Sequence, residues 1–431
     1  MKYIDERKDG KFMKKKSVFY CSCNNLFKTR ILSCIIIISL IMGMFVQTAT
    51  FNAEDSLEKA EVRIEEFFQK VYSAKGIVYE NFELEYVKEM YDNNNNVVAI
   101  VGIFMRDGQL DYAIYNCITE TIDEYSFDCD DALTRFEEDE TLYYTGALNY
   151  YICSGNDEQM RHTNTGHAIN KAVIMEKAKK FVEHSKNRRN NKSGKSSNPG
   201  NGADGIIHWS DIKNSTSGWT NSDFGYLSGI TWRGSTETDG ISGSGLSFSS
   251  MTSLSQNGKY KNHCGPTALT NIMVYYDWLG YNTLLNDSRK DTFEWLRVNS
   301  EHNNTEGTYL KKARLALLSY LAHMGYTSSY LTNFTDDYTD YKEAIDKDQV
   351  ILTLLNVTQS DGNEWGHFVV TLGYEEFKQA YEKPVLWGTV TEYRYLRYLR
   401  VCDGWSSCDE NVYVDLNGFY DSYNSSAITI K

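Results

Sequence analysis

The sequence of 431 residues lacks an excess of positive charge and a pair of C-x-x-C motifs, and its main apolar run is short for a bilayer span. Its formal net charge of −14 argues against nucleic-acid binding, because contact with phosphates requires a basic surface. Without two C-x-x-C motifs, the nine cysteines do not form a zinc-ribbon pattern. The conspicuous apolar run covers only residues 31–46, whereas a membrane-spanning helix needs about 20 residues.

That apolar run follows a basic head. Residues 1–30 contain nine Lys/Arg and three Asp/Glu, and a basic stretch before an apolar one is typical of an export signal. Because no clear cleavage site follows, both a cleaved signal peptide and an uncleaved anchor are open. We therefore predict that residues 1–53 are the leader of a secreted or cell-surface protein, which contacts the membrane only through residues 31–46 if uncleaved.

The rest of the chain is predicted to be of the α+β class, with two domains and a linker. Residues 54–184 have helical apolar spacing at both ends and β-runs joined by an Asp-Gly turn between them, which predicts a small α+β domain. Residues 185–205 are polar and rich in Asn, Ser and Gly, which predicts a flexible linker that is either cut by a protease or only a spacer. In residues 206–431 helical patterns precede β-runs, which predicts a helical part packed on an antiparallel sheet.

Cys264 is the candidate nucleophile. Pro266 and the apolar spacing after it predict a helix that begins beside this cysteine. The helix dipole stabilises a thiolate at that position, and the main-chain N–H of Cys264 can donate to an oxyanion. The alternative is a buried cysteine that only packs against the start of the helix.

A thiolate nucleophile needs an imidazole base within reach. His367 is the best candidate, because it opens an apolar β-run that would hold it rigidly. A buried histidine with structural contacts alone is the alternative. The other histidines of this region are assigned different roles: His208 in the entry segment, His263 pointing away from Cys264, His302 in solvent and His323 in surface or packing contacts.

Asp403 is the candidate third member of the site. It ends a β-run, and its carboxylate is expected to accept a hydrogen bond from the second ring nitrogen of His367. Trp405 follows and is expected to shield that bond from water. The alternative is an ordinary turn residue before Gly404.

The three motifs NHCGPTA, GHFVV and VCDGW resemble those of the papain-like cysteine peptidases. They are most similar to bacterial branches that include the bacteriocin-leader-processing peptidases and the streptopain-like enzymes. The resemblance covers residues 206–431 and implies a papain-like fold, with Asp403 where the family has Asn, and neither a metal nor a cofactor. Residues 54–184 resemble the propeptides of such enzymes in their place along the chain.

The sequence departs from this family at the oxyanion hole. A Gln six residues before the nucleophile usually completes the hole, but this position is Gly258. The expected donor is therefore Gln256 or Asn262. Nearby, Cys402 and Cys408 are expected either to form a disulfide across the Asp403 turn or to be two unpaired thiols.

The sequence thus predicts an exported cysteine endopeptidase made as a zymogen. It would act on a protein or peptide substrate through a thioester, with the domain at residues 54–184 covering the cleft. Loops at residues 206–260 and 375–395 are expected to shape the substrate pocket. Two alternatives are a transglutaminase-like acyltransferase or cell-wall-peptide amidase on the same fold, and an inactive surface-binding module.

Overall fold

The computed structural model places Ala53–Lys431 in one compact unit. It describes residues 53–127, 133, 140–155, 157–163, 168–190, 220–228, 246–254, 259–285, 288–335, 337–358, 364–385, 387–404, 412–416 and 422–431. The predicted leader up to residue 52, and with it the apolar run, lies outside these ranges. Within them, no helix combines the length and the hydrophobicity that a membrane crossing requires.

The described part consists of helices and a large, mostly antiparallel sheet, which confirms the α+β class. The helices are α1 (Ala53–Lys75), α2 (Lys171–Asn190), α3 (Met251–Leu254), α4 (Cys264–Trp278), α5 (Arg289–Asn299), α6 (Leu310–His323) and α7 (Tyr338–Ile345). The strands are β1 (Phe82–Tyr91), β2 (Val97–Arg106), β3 (Gln109–Asn116), β4 (Thr121–Ser126), β5 (Glu140–Tyr144), β6 (Tyr150–Ser154), β7 (Gln159–His162), β8 (Ala168–Asn170), β9 (Thr220–Tyr226), β10 (Tyr330–Phe334), β11 (Ile351–Thr358), β12 (Glu364–Val385), β13 (Gly388–Cys402), β14 (Val412–Asp415) and β15 (Ser422–Thr429).

The described strands form one sheet in the order β10-β15-β11-β12-β13-β14-β4-β3-β2-β1-β5-β6-β7-β8. β9 pairs with β12 beside this path. Among the described pairs, only β1 with β5 is parallel. The sheet runs from residues 53–190, called the N-terminal part below, into residues 220–431, the C-terminal part, through the pairing of β4 with β14.

Short-range sequence signals account for much of the N-terminal part. One face of α1 is buried, from Ala60 to Tyr72, as its apolar spacing predicts, although Val62 faces solvent. The β2–β3 hairpin turns at Asp107 and Gly108. Their φ angles of 50° and 89° are the left-handed conformations that a two-residue hairpin turn requires.

The end of α2 changes the predicted linker boundary. This helix continues to Asn190, so the first six residues of the stretch predicted as a linker, 185–190, are helical. Residues 191–205 of that stretch lie outside the described ranges.

In the C-terminal part, α4 packs against β11 and β12 and is buried along most of its length. β12 and β13 form a long hairpin through residues 375–395, where the sequence was predicted to form a loop. That prediction is wrong. Contacts between the two strands, and not burial in the core, stabilise the hairpin here: the Lys378 ammonium lies 3.9 Å from the ring centroid of Tyr393.

The hydrophobic core is shared by the two parts. Its largest cluster joins Leu148 and Phe181 of the N-terminal part to Leu269 and Val370 of the C-terminal part. A second, aromatic cluster joins α1 and β2–β4 to residues of β12, β13 and β14.

Candidate active site

Cys264 is the first residue of α4. No side chain caps this helix start, so main-chain N–H groups there remain available to a negatively charged atom. Residues 265–276 are all buried, which fixes the beginning of the helix within the core. The nucleophile that the sequence predicts is therefore held in place by packing.

The Cys264 thiol lies next to the strand that carries His367. Burial raises the pKa of this thiol, while the main chain of Phe368 and of Gly265 and the positive charge of Lys177 oppose the shift. By accessible surface the side chain is half-buried.

His367 is buried on β12, opposite Leu355 of β11. Its Nε2 atom lies 2.8 Å from the main-chain oxygen of Asp403. A carbonyl oxygen only accepts, so Nε2 carries the proton and Nδ1 is the nitrogen with the lone pair. Burial lowers the pKa of His367 to about 4, and the hydrogen bond to Asp403 opposes that shift.

Asp403 follows β13, as expected, and is buried. The hydrogen bond to His367 is made by its main-chain carbonyl and not, as the sequence predicts, by its carboxylate. The Asp403 carboxylate interacts electrostatically with Tyr112 of the N-terminal part and helps to raise the pKa of that phenol. The predicted shield, Trp405, lies outside the described residues.

Two glycines allow the three segments to meet. A Cβ atom on Gly265 would lie 3.0 Å from Cβ of Thr308 and 3.3 Å from Cδ2 of Phe368. Gly404 has a φ of 74°, and a Cβ atom there would lie 3.3 Å from Cγ2 of Thr267 in α4. The start of α4, the His367 strand and the Asp403 turn are thus in van der Waals contact.

Of the two candidates for the oxyanion donor, the structure describes only Asn262. Gln256 lies outside the described residues, so its role stays a prediction. The side-chain amide of Asn262 donates to the carbonyl oxygens of Asn304 and Thr305, at 3.0 and 3.1 Å. Both of its hydrogens are thereby used to hold the turn at residues 303–307, which leaves none for an oxyanion.

The other described histidines have structural contacts. His263 is buried, and its Nδ1 atom lies 3.1 Å from Oγ1 of Thr267. His302 is half-buried rather than solvated: its Nδ1 atom lies 3.2 Å from Oγ1 of Thr308, and burial lowers its pKa. His323 stacks on Trp295, in agreement with the predicted packing role. His208 lies outside the described residues.

Sequence patterns do not indicate the groups that the N-terminal part brings to this site. Lys177 of α2 interacts electrostatically with Cys264, and burial lowers the pKa of this lysine to about 8. Glu124 of β4 accepts hydrogen bonds from Tyr112, Tyr150 and the main-chain N–H of Leu148. Burial raises the pKa of Glu124 to about 7. Lys177 is one of many lysines on its helix, so spacing alone could not single it out.

The remaining described cysteines differ from Cys264. Cys117 is a free, buried thiol, and burial raises its pKa to about 12. Cys153 is also free and buried, and its sulfur accepts a hydrogen bond from Lys171 at 3.5 Å. The sulfur of Cys402 lies 3.6 Å from the amide nitrogen of Asn271. Cys408 lies outside the described residues, so the disulfide with Cys402 stays a prediction.

Among the described residues, no group of three or more His, Cys, Asp or Glu side chains is arranged to hold a metal ion. In comparisons with known proteins, no family model matches the chain, and no curated protein is significantly similar to it.

Proposed function

We propose that this chain is an exported cysteine peptidase of papain-like fold, made as a zymogen. The observation that carries the proposal is the junction of three segments around one thiol. Cys264 lies at an uncapped helix start, that start packs against Phe368 beside His367, and His367 is oriented by Asp403. A nucleophile, a base and an element that orients the base are the parts that acyl transfer requires.

In the proposed reaction Nδ1 of His367 takes the proton of the Cys264 thiol, and the sulfur attacks the carbonyl carbon of a peptide bond. The C–N bond breaks, and the proton passes to the leaving amine. A water molecule then gives a proton to Nδ1 and adds to the thioester, which releases the acid and restores the thiol. The main-chain N–H of Cys264 supports the negative oxygen in both steps.

The proposed zymogen state has a chemical basis in the burial of both groups. Burial raises the pKa of Cys264 and lowers that of His367, so both shifts favour the neutral thiol and the neutral imidazole. The thiolate–imidazolium pair that reacts rapidly is thereby disfavoured. The interactions of Lys177 with Cys264 and of Tyr112 with Asp403 support a role of the N-terminal part as a cover of the site.

The test uses residues 53–431 as wild type and as Cys264→Ala. Each protein is treated with a peptide that carries a thiol-directed electrophile and with an unfolded protein substrate, before and after an added protease has digested the N-terminal part. We expect labelling and substrate cleavage only with Cys264 present, and faster after digestion. Cys153→Ala is the matched control, because it removes a buried thiol away from the site.

Two other outcomes would change the conclusion. Labelling at Cys264 without hydrolysis, together with incorporation of an added amine into the substrate, would support the acyltransferase instead. Absence of labelling even after digestion would overturn the catalytic proposal and leave a surface-binding module.

A further inference from the structure

Strand pairing joins the backbone of the N-terminal part to that of the C-terminal part. β4 pairs with β14 in antiparallel register, with Tyr125 opposite Tyr413 and Ser126 opposite Val412. The main-chain N–H and C=O groups of these strands are hydrogen-bonded to each other while the strands are paired, and they lose these partners when the strands separate.

Aromatic side chains bury this junction on one face of the sheet. The rings of Tyr125 and Tyr413 are stacked, with centroids 4.7 Å apart and planes 5° from parallel. Tyr398 contacts both Tyr125, at 4.9 Å, and Phe67 of α1, at 6.3 Å. All four side chains are buried, so they form a core between the two parts rather than a surface contact.

A buried ion pair crosses the same junction. Lys75, the last residue of α1, is paired with Glu375 of β12, and their side chains are 5% and 0% exposed. Tyr125 donates a hydrogen bond to the second oxygen of Glu375 at 3.3 Å, and Tyr226 donates to the first. The Lys75 ammonium also lies 5.2 Å from the ring centroid of Tyr413. Removal of one partner would leave a charge buried without its counter-ion, which is strongly unfavourable.

We infer that the N-terminal part stays bound to the C-terminal part after the chain between them is cut, and that leaving either charge of the buried Lys75–Glu375 pair without its partner weakens this association. A cut within residues 191–219 therefore produces a two-chain protein in which Cys264 is still covered. The association does not depend on catalysis. Its consequence, that the peptidase stays inactive after the cut, rests on the proposed peptidase function.

The test introduces the recognition sequence of a site-specific protease between Asn190 and Thr220, in a Cys264→Ala background that excludes self-cleavage. After the cut, gel filtration at about micromolar concentration reports whether the two fragments elute together. We expect the fragments of the otherwise wild-type chain to co-elute. Their separation in native buffer would overturn the inference.

Substitutions then test the ion pair. Lys75→Met should weaken association on the order of a hundredfold, because the Glu375 charge stays buried without its partner. Lys59→Met is the matched control on the same helix. Its pair with Glu120 is 43% and 19% exposed and lies within the N-terminal part. Equal association of the Lys75→Met and Lys59→Met fragments would overturn the role of the pair.

A double variant distinguishes weakened association from misfolding. Lys75→Met/Glu375→Gln removes both charges of the pair, so its fragments should co-elute even if Lys75→Met alone does not fold. Separation of the double-variant fragments would contradict the inference. With Cys264 intact, the cut wild-type chain should be labelled as slowly as the uncut chain, and a large acceleration by the cut alone would contradict the two-chain covered state.

Discussion

The Nε2 atom of His367 donates a hydrogen bond to the main-chain oxygen of Asp403, 2.8 Å away. The orientation of the imidazole therefore depends on the path of the chain after β13 and not on the chemistry of the side chain at position 403. A main-chain carbonyl cannot be removed by substitution, and it does not titrate. This arrangement holds Nδ1 as the basic nitrogen of the neutral imidazole.

Asp403→Asn should accordingly retain most of the proposed peptidase activity, measured after digestion of the N-terminal part. We expect kcat/KM to fall by less than about tenfold, whereas a carboxylate that itself sets the tautomer is worth about 10⁴-fold. His367→Ala is the comparison, with an expected loss of more than about 10³-fold. A loss of similar size in Asp403→Asn would show that the carboxylate, not the carbonyl, orients His367 during the reaction.

His367 and Glu124 should give opposite pH dependences of stability. The pKa of His367 falls from 6.5 to about 4 on folding, so the unfolded state binds more protons and stability rises with pH across this window. The pKa of Glu124 rises from 4.5 to about 7, so the folded state binds more protons and stability falls across that window. Each effect amounts to about 3 kcal/mol, and the two largely cancel in the wild type.

The measurement is the free energy of urea unfolding at several values between pH 4.5 and pH 7. Relative to wild type, Glu124→Gln should gain stability as the pH rises, because only the His367 effect is left. His367→Gln should lose stability as the pH rises, because only the Glu124 effect is left. Parallel pH profiles for the three proteins would show that neither group has the shifted pKa.

Lys177 should promote ionisation of Cys264, since its positive charge favours the thiolate. Lys177→Met should slow alkylation of Cys264 by iodoacetamide at pH 7.5, by up to about tenfold. The control is Lys179→Met, which removes an exposed lysine from the same helix. Faster alkylation of Lys177→Met would instead show that this side chain acts as a steric cover of the thiol.

Asn304 should stabilise the segment before the nucleophile. Its side chain accepts a hydrogen bond from the main chain of Lys261 at 3.0 Å and donates one to the carbonyl of Lys259 at 3.3 Å. Asn304→Ala should lower the free energy of unfolding by about 1–2 kcal/mol and slow the labelling of Cys264. Asn299→Ala, at the end of the neighbouring helix α5, should change unfolding by less than about 0.5 kcal/mol. Equal effects of the two substitutions would contradict the assignment.

Features with a local cause could be predicted from the sequence. Apolar spacing located α1, and an Asp-Gly pair located the β2–β3 turn. Pro266 near the start of an apolar stripe located α4 and placed Cys264 at its beginning. In each case the signal lies within about one turn of the element that it specifies, so no knowledge of distant contacts is needed.

Features that depend on distant contacts could not be predicted in this way. The pairing of Tyr125 with Tyr413 joins strands almost three hundred residues apart, and nothing near either residue specifies the partner. The same holds for Lys177 beside Cys264. Every residue has a main-chain carbonyl, so the sequence could place Asp403 near His367 but could not tell which of its oxygens accepts the hydrogen bond.

The pairing of β4 with β14 also has a consequence for solubility. While the two parts are docked, both strands are interior to the sheet, with a partner on each side. Parting them would create two open strand edges, one on each fragment, each with unpaired main-chain groups and buried tyrosines newly exposed to water. Such edges are templates for intermolecular β-pairing. A C-terminal part without the N-terminal part is therefore expected to self-associate more readily than the intact protein unless another chain covers β14.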